Sequence, residues 1–188
     1  SVTSIGNWAF QRCSHLMFVD IPDSVKFIGE KAFASCVQLR TVTISDSVEA
    51  IGNCAFFRCR MSSIKIPRSV VSLKGNPFAE CMDLEEIDVS ENPNFVFEDG
   101  VLFNKEMTEI IYCTPSKVGD YTIPDTVKTI CSNAFCGCCR LDSITIPEVT
   151  SIGKWAFNGC SSLKTVSIPK GLRYPQSAFP KGAAVNEY

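Results

Sequence analysis

The sequence predicts a repeat solenoid: a parallel ladder of about seven short β-strands with short helical or 3₁₀ return segments, interrupted by one β-hairpin insertion. Two columns of residues predict it. An Ala-Phe pair followed three residues later by Cys recurs at Ala9-Phe10…Cys13, Ala32-Phe33…Cys36, Ala55-Phe56…Cys59, Ala134-Phe135…Cys138 and Ala156-Phe157…Cys160. Pro77-Phe78…Cys81 is a variant, and Ala178-Phe179 is a last copy without the Cys. A second column follows in phase: Ile21-Pro22, Ile44-Ser45, Ile66-Pro67, Val89-Ser90, Ile123-Pro124, Ile146-Pro147 and Ile168-Pro169. Both step by 22 or 23 residues except at one place. A fixed period of that length is the mark of stacked repeats that bury their apolar residues only against one another.

Each repeat opens on a pattern such as Leu39-x-x-Val42-x-Ile44, which alternates β-branched residues with period two and reads as a half-buried strand. The Pro that follows most strands has no N–H for a ladder, so it ends the strand and turns the chain. Strands in one column stack about 4.8 Å apart. The return path, Val25-x-x-Ile28-Gly29-x-x-Ala32-Phe33-x-x-Cys36, spaces apolar residues by three and four and predicts one short helical or 3₁₀ turn. Gly6, Gly29, Gly52 and Gly153 are expected to allow tight turning there, with Cys131 in place of that Gly in one repeat.

Between Val89 and Ile123 the step is 34 residues. The runs Asn94–Phe97 and Val101–Asn104 flank Asp99-Gly100, a strong hairpin signal, and a third run ends at Tyr112. Residues 90–120 are therefore expected to form a hairpin or three-stranded meander inserted in a single solenoid spanning residues 1–188, with residues 170–188 as a closing repeat and residues 181–188 irregular. The chain opens in the middle of a repeat, which predicts an N-terminally trimmed fragment and makes silence about targeting uninformative.

The repeat Leu-x-x-Val-x-Ile-Pro-x-x-Val-x-x-Ile-Gly-x-x-Ala-Phe-x-x-Cys resembles the BspA-like (Treponema-type) class of leucine-rich repeat over nearly the whole chain. The Asp99-Gly100-Val101-Leu102-Phe103 insertion is similar to a module common in that class. The resemblance implies a right-handed solenoid with a strand-lined concave face, on secreted or surface-displayed proteins, several of them adhesins for host matrix proteins or other cells. Departures are Ser45 and Ser90 for Pro, Pro77 for Ala, and surplus cysteines.

Composition excludes several classes. Lys and Arg number 18 against 20 Asp and Glu, so there is no basic footprint for nucleic acid, and the longest apolar runs fall far short of the roughly 20 residues of a membrane helix. Of eleven Cys, six (Cys13, Cys36, Cys59, Cys81, Cys138, Cys160) share one repeat position, where a thiol behaves as a small buried hydrophobe; reduced structural thiols are favoured there over stacked disulfides. Cys136, Cys138 and Cys139, with Cys131 and Cys113, have metal-like density but lack the two short ligand pairs of a zinc site. The single His15 sits at a turn beside Cys13, which is expected in the core and not as a nucleophile. Glu86 and Asp88 share a strand face without a third partner, which reads as a solvated face. No catalytic residue, cofactor or metal is assigned.

What remains is surface. The outward strand positions give one set, Phe18, Asp20, Thr41, Thr43, Ser63 and Lys65, and its continuation, Glu86, Asp88, Ser143, Thr145, Thr165 and Ser167. These are expected to line a platform for a protein or glycan partner, such as a host matrix or cell-surface molecule, on a monomeric, non-catalytic adhesion module. A spacer with no ligand of its own is the alternative; a Cys-cluster metal or redox site is a weaker third. Phe95, Phe97 and Phe103 of the insertion are either a second contact or rings packed back on the solenoid.

Overall fold

A computed structural model describes residues 1–188, which group into two compact units, Ser1–Phe97 and Glu98–Tyr188. Both are parallel β-solenoids without helices. In the first unit the strands are β1 (Ser4–Ile5), β2 (Phe18–Ile21), β3 (Phe27–Ile28), β4 (Thr41–Ile44), β5 (Ala50–Ile51), β6 (Ser63–Lys65), β7 (Ser72–Leu73) and β8 (Glu86–Asp88). The longer strands are those read from the Val-x-Ile pattern. They pair in parallel, β2 with β4 and β6 with β8, and period two buries Val42 and Ile44 while exposing Thr41 and Thr43. The register sets Phe18 beside Thr41, Asp20 beside Thr43, and Lys65 beside Asp88.

The return path is not helical. Its Phe27-Ile28, Ala50-Ile51 and Ser72-Leu73 segments belong to a second parallel sheet, β1-β3-β5-β7, so each coil contributes two strands to two ladders. The Ala-Phe-Cys stretch that follows is a run of turns. In it N–H groups alternate in aim: Lys31, Phe33 and Ser35 donate to carbonyls of the next coil (Asn53, Ala55, Phe57), while Ala32, Ala34 and Cys36 donate three residues back. This alternation places Lys31 and Ser35 in the left-handed region, as it does Trp8, Arg12, Cys54 and Arg58. A left-handed residue every fourth position breaks any 3₁₀ or α-helix, whose residues must all be right-handed. The bonds a helix would close on itself are spent instead between coils.

The glycines act differently from the expectation too. Gly29, Gly52 and Gly153 do not have positive φ; a Cβ on them would lie 2.6, 2.5 and 2.3 Å from backbone of the preceding coil. They are clearance for stacking, not hinges. Gly6, in the first coil, has nothing within 4 Å of such a Cβ. At Cys131 the stacked segment of the preceding coil is strand (Glu109–Cys113), not turn, and the buried thiol donates to Glu109 Oε1 at 3.0 Å.

β9 (Phe95–Glu98) leads to Asp99-Gly100, both with positive φ as a two-residue hairpin turn requires. The second unit holds β10 (Val101–Asn104), β11 (Glu109–Cys113), β12 (Val118–Thr122), β13 (Thr129–Ile130), β14 (Arg140–Thr145), β15 (Ser151–Ile152), β16 (Thr165–Ile168) and β17 (Ala184–Glu187). β10 and β11 form the antiparallel part of the insertion, and Asn104 pins their loop by accepting from the N–H of Thr108 and Glu109. β11, β13 and β15 continue as a parallel ladder. β12, β14, β16 and β17 form a four-stranded parallel sheet. β17 corrects the expectation of an irregular end: Val185 pairs with Val166, so the closing segment adds a strand.

Behind the strands, rings stack from coil to coil. In the first unit Phe10, Phe33, Phe56 and Phe78 lie 5.2, 5.5 and 6.0 Å apart, near parallel. In the second, Phe135, Phe157 and Phe179 follow at 4.8 and 5.1 Å, with Tyr121 tilted below at 6.1 Å. Offset stacking at such distances suits the ring quadrupole.

Candidate functional site

The column thiols are part of this spine. Cys36, Cys59, Cys81 and Cys160 each donate to the carbonyl of the Phe one coil earlier (Phe10, Phe33, Phe56 and Phe135) at 3.0–3.3 Å. Cys138, above the insertion, donates to Thr114 O at 3.4 Å. Burial pushes the Cys59 thiol well up and Cys81 up to about 12; for Cys138 and Cys160 the leading cause is a hydrogen bond between neighbouring thiols. Raised thiol pKa means little thiolate, and these sulfurs are poor nucleophiles. Cys13 differs from expectation: it lies in the first coil, with a stacked neighbour on one side only, and is exposed.

The Cys136–Cys139 stretch does not converge. Cys138 points into the column, Cys136 accepts from Asn158 Nδ2 at 3.6 Å, and Cys139 is exposed. No set of three or more His, Cys, Asp or Glu side chains is grouped as metal ligands. His15 is exposed, with its Nδ1 3.4 Å from Ser14 Oγ. In the insertion Phe95 and Phe103 are buried, so these two rings serve packing, while Phe97 is half-buried.

In the first unit the outward positions face solvent. Phe18 is 71% exposed, and Asp20, Thr41, Thr43, Ser63, Lys65 and Glu86 are exposed beside a half-exposed Asp88. Lys65 Nζ lies 3.0 Å from Glu91, which raises its pKa, while hydrogen bonds from Ser90 Oγ and N hold Asp88 below the usual carboxylate range. Where the strands end, a cleft of about 750 Å³ opens between Asp20, Pro22, Asp23, Thr43, Asp46, Ser47, Lys65 and Pro67. The sequence reading missed Asp23 and Asp46. Their signal is present, an Asp two residues after the last strand Ile in two consecutive repeats, but only coil stacking brings them to one place. An apolar hollow of about 390 Å³, lined by Val2, Ile5, Phe10, Leu16, Val19 and Val25, adjoins it at the first coil and shares Asp20, Ile21 and Pro22 with the cleft.

In the second unit the outward residues Ser143, Thr145, Thr165 and Ser167 are half-buried, and the register aligns Ser143 with Thr165 and Thr145 with Ser167. Ser143 Oγ donates to Asp120 Oδ1 at 2.6 Å. This face is a row of hydroxyls with the exposed Asp120 at its β12 side.

Two strands per coil, a stacked ring and a thiol at one station define a repeat solenoid. The chain belongs to the BspA type leucine rich repeat region family, whose model matches in six copies over residues 3–122 and 105–187. It is similar to a solved leucine-rich cell surface protein of Faecalibacterium prausnitzii, at 26% identity and TM-score 0.74, covering 99% of this chain and 69% of that one. It is also similar to the pneumococcal vaccine antigen PcpA (26%, TM-score 0.71, covering 89% and 54%). A third is a leucine-rich repeat protein of Eubacterium ventriosum (27%, TM-score 0.64, covering 97% and 58%). The chain thus spans little more than half of the latter two. Among curated protein sequences none matches this chain significantly. No helix is long and apolar enough to cross a membrane.

Proposed function

We propose that the chain is a non-catalytic interaction module of a secreted or cell-surface protein, acting as a monomer and adhering to a protein or glycan partner through its strand faces. The observation that carries this reading is the first unit's face, where exposed polar and charged side chains stand in register on a rigid ladder beside an open cleft. A ladder fixed by main-chain bonds holds such groups without the ordering penalty a loop would incur on binding. Family membership and the cell-surface description of the Faecalibacterium protein favour the location. In this reading residues 1–188 act as one repeat domain, with residues 90–120 as an inserted module and 170–188 as its closing repeat.

The test is an array of matrix proteins and glycans probed with the purified chain and with Thr43→Arg and Ser143→Arg, each blocking one face. Binding that one of these variants weakens at least about tenfold, with the melting temperature held, is the expected result. Binding that ignores both blocks would move the contact off the ladders. No binding at all would favour a spacer.

A further inference from the structure

We infer that Asn158 is a site of self-modification: in the folded chain its amide is converted to an acid by ring closure with Gly159, with water as the only co-reactant. Asn158-Gly159 is the chain's one Asn-Gly step. It lies in the turn stretch between the buried Phe157 and Cys160, and both of its residues are exposed. Every other Asn is followed by a residue with a side chain, which crowds the attacking nitrogen. Gly159 has φ 75° and no Cβ to obstruct attack. Stacking also leaves this step free. At the same station Arg12, Ser35, Arg58 and Gly137 donate their N–H to carbonyls of the next coil (Ala34, Phe57, Ala79 and Asn158) at 2.6–3.1 Å. Gly159 leads into the closing segment, and its N–H makes no such bond. The amide is held as lightly. Asn158 Nδ2 donates to Cys136 Sγ at 3.6 Å, and a thiol sulfur is a weak acceptor. The Nδ2 of Asn92, by contrast, donates to the carbonyls of Pro67 and Val70 at 2.6 and 3.0 Å.

The reaction balances with water alone. The Gly159 nitrogen gives its proton to hydroxide and forms a bond to Asn158 Cγ. The Cγ–Nδ2 bond then breaks, and Nδ2 takes a proton from water and leaves as ammonia. One water opens the five-membered imide at either carbonyl, giving aspartate or its β-linked isomer. The net change is amide plus water to carboxylate plus ammonium, and nothing is oxidised or reduced. The aspartate form keeps the backbone and sets a negative charge beside the Cys136 thiol. The β-linked form also inserts a methylene into the backbone and moves the Asn158 carbonyl, which accepts from the Gly137 N–H at 2.8 Å. Either way the turn stretch of the second unit gains a charge that its encoded sequence does not carry.

The experiment ages the folded full chain at mildly alkaline pH and follows the tryptic peptide Trp155–Lys164 by mass spectrometry. The expected result is a gain of about 1 Da at Asn158, in two products that chromatography separates, the β-linked one a substrate for an isoaspartyl methyltransferase. Conversion should outrun that of any other Asn by at least about tenfold. It should also rise by up to about tenfold per pH unit, because the attacking nitrogen must first lose its proton. Two variants borrow residues already tolerated at these stations: Asn158→Gln copies Gln11, and Gly159→Ser copies Ser35, whose φ is 62°. The first needs a six-membered ring and the second crowds the nitrogen, so each is expected to slow conversion at least about tenfold. A folded chain that stays amidated while the same chain in urea converts would overturn the inference, since the coil would then hold the step out of reach. So would aspartate formed without its β-linked isomer, the mark of direct hydrolysis, or equal rates in the parent and Gly159→Ser.

Discussion

The strand face of the first unit and that of the second are printed by one repeat, yet they differ in charge and exposure. The first shows Phe18, Asp20, Lys65 and Glu86 to solvent; the second shows the half-buried hydroxyls Ser143, Thr145, Thr165 and Ser167, with Asp120 its one charge on β12, the strand beside Ser143. Behind both, the same rings stack and the same thiols donate to the same carbonyl. The difference teaches where each kind of constraint acts. Positions facing inward must fit the coil below and the coil above, so they repeat. Positions facing outward meet only their lateral neighbours, so the scaffold can hold an acidic cleft in one place and a hydroxyl row in another without altering its core.

If the cores are equivalent, breaking either spine should have the same large effect. Phe56 and Phe157 are fully buried, each with a ring on both sides. Phe56→Ala and Phe157→Ala are each expected to destabilise by about 3–5 kcal/mol, read from denaturant midpoints. Phe10, 43% exposed with one ring neighbour, should lose clearly less on truncation. A Phe157→Ala change far milder than Phe56→Ala would show that the second spine is not equivalent to the first. Next in size comes the clearance between coils. Gly52→Ala and Gly153→Ala press a methyl onto backbone that has no rotamer to escape by, with an expected loss of about 1–3 kcal/mol or more. Gly6→Ala meets nothing and should stay within about 0.5 kcal/mol of the parent.

That glycine contrast also marks how far the sequence could be read. The Val-x-Ile strands, the ring column and the hairpin signal at Asp99-Gly100 follow from period and local turn chemistry, and they were legible. The second sheet was not, because Phe27-Ile28 and its equivalents are strands of two residues, too short for alternation to register. The left-handed stations fall on Lys31, Ser35 and Arg58, residues that carry no turn signal of their own and are held there by bonds to the next coil. Gly29 was visible as a repeat residue but looked like a hinge, since clearance depends on a neighbour about 22 positions away. For the faces, which residues point outward could be read strand by strand. The meeting of Asp20, Asp23 and Asp46 around one cleft could not, because it needs coil register and the path of the chain after each strand.

A smaller effect tests whether the thiol columns behave alike. Cys59 in the first unit and Cys160 in the second both have pKa values raised in the folded state above the ordinary 9.0. A thiol whose folded pKa is raised contributes stability that is whole below the unfolded value. That contribution is lost as pH climbs from about 9 toward the folded pKa, because only the unfolded chain releases the proton. Each such thiol should remove about 1.4 kcal/mol per pH unit in that window. Cys59→Ala and Cys160→Ala should each lower stability at neutral pH but flatten its alkaline fall by one thiol's share, seen as a shallower plot of melting temperature against pH. An unchanged slope in either variant would mean that its thiolate is tolerated inside the fold.

The smallest expected effect is on the faces themselves. Lys65 and Glu91 are about half exposed, so their ion pair is screened, and Lys65→Gln should alter stability by less than about 1 kcal/mol. Thr165→Lys on the second face, which adds a charge where hydroxyls stand, should stay within a similar range because a lysine stem can carry its ammonium out to water. Chemical denaturation of both variants beside the parent makes the measurement. The point of so small a number lies in its contrast with Phe56→Ala: a face that contributes almost nothing to folding is free to be set by what it touches. A Lys65→Gln variant that lost several kcal/mol would instead make the charges of the first face part of the scaffold, and the acidic cleft a by-product of holding its coils together.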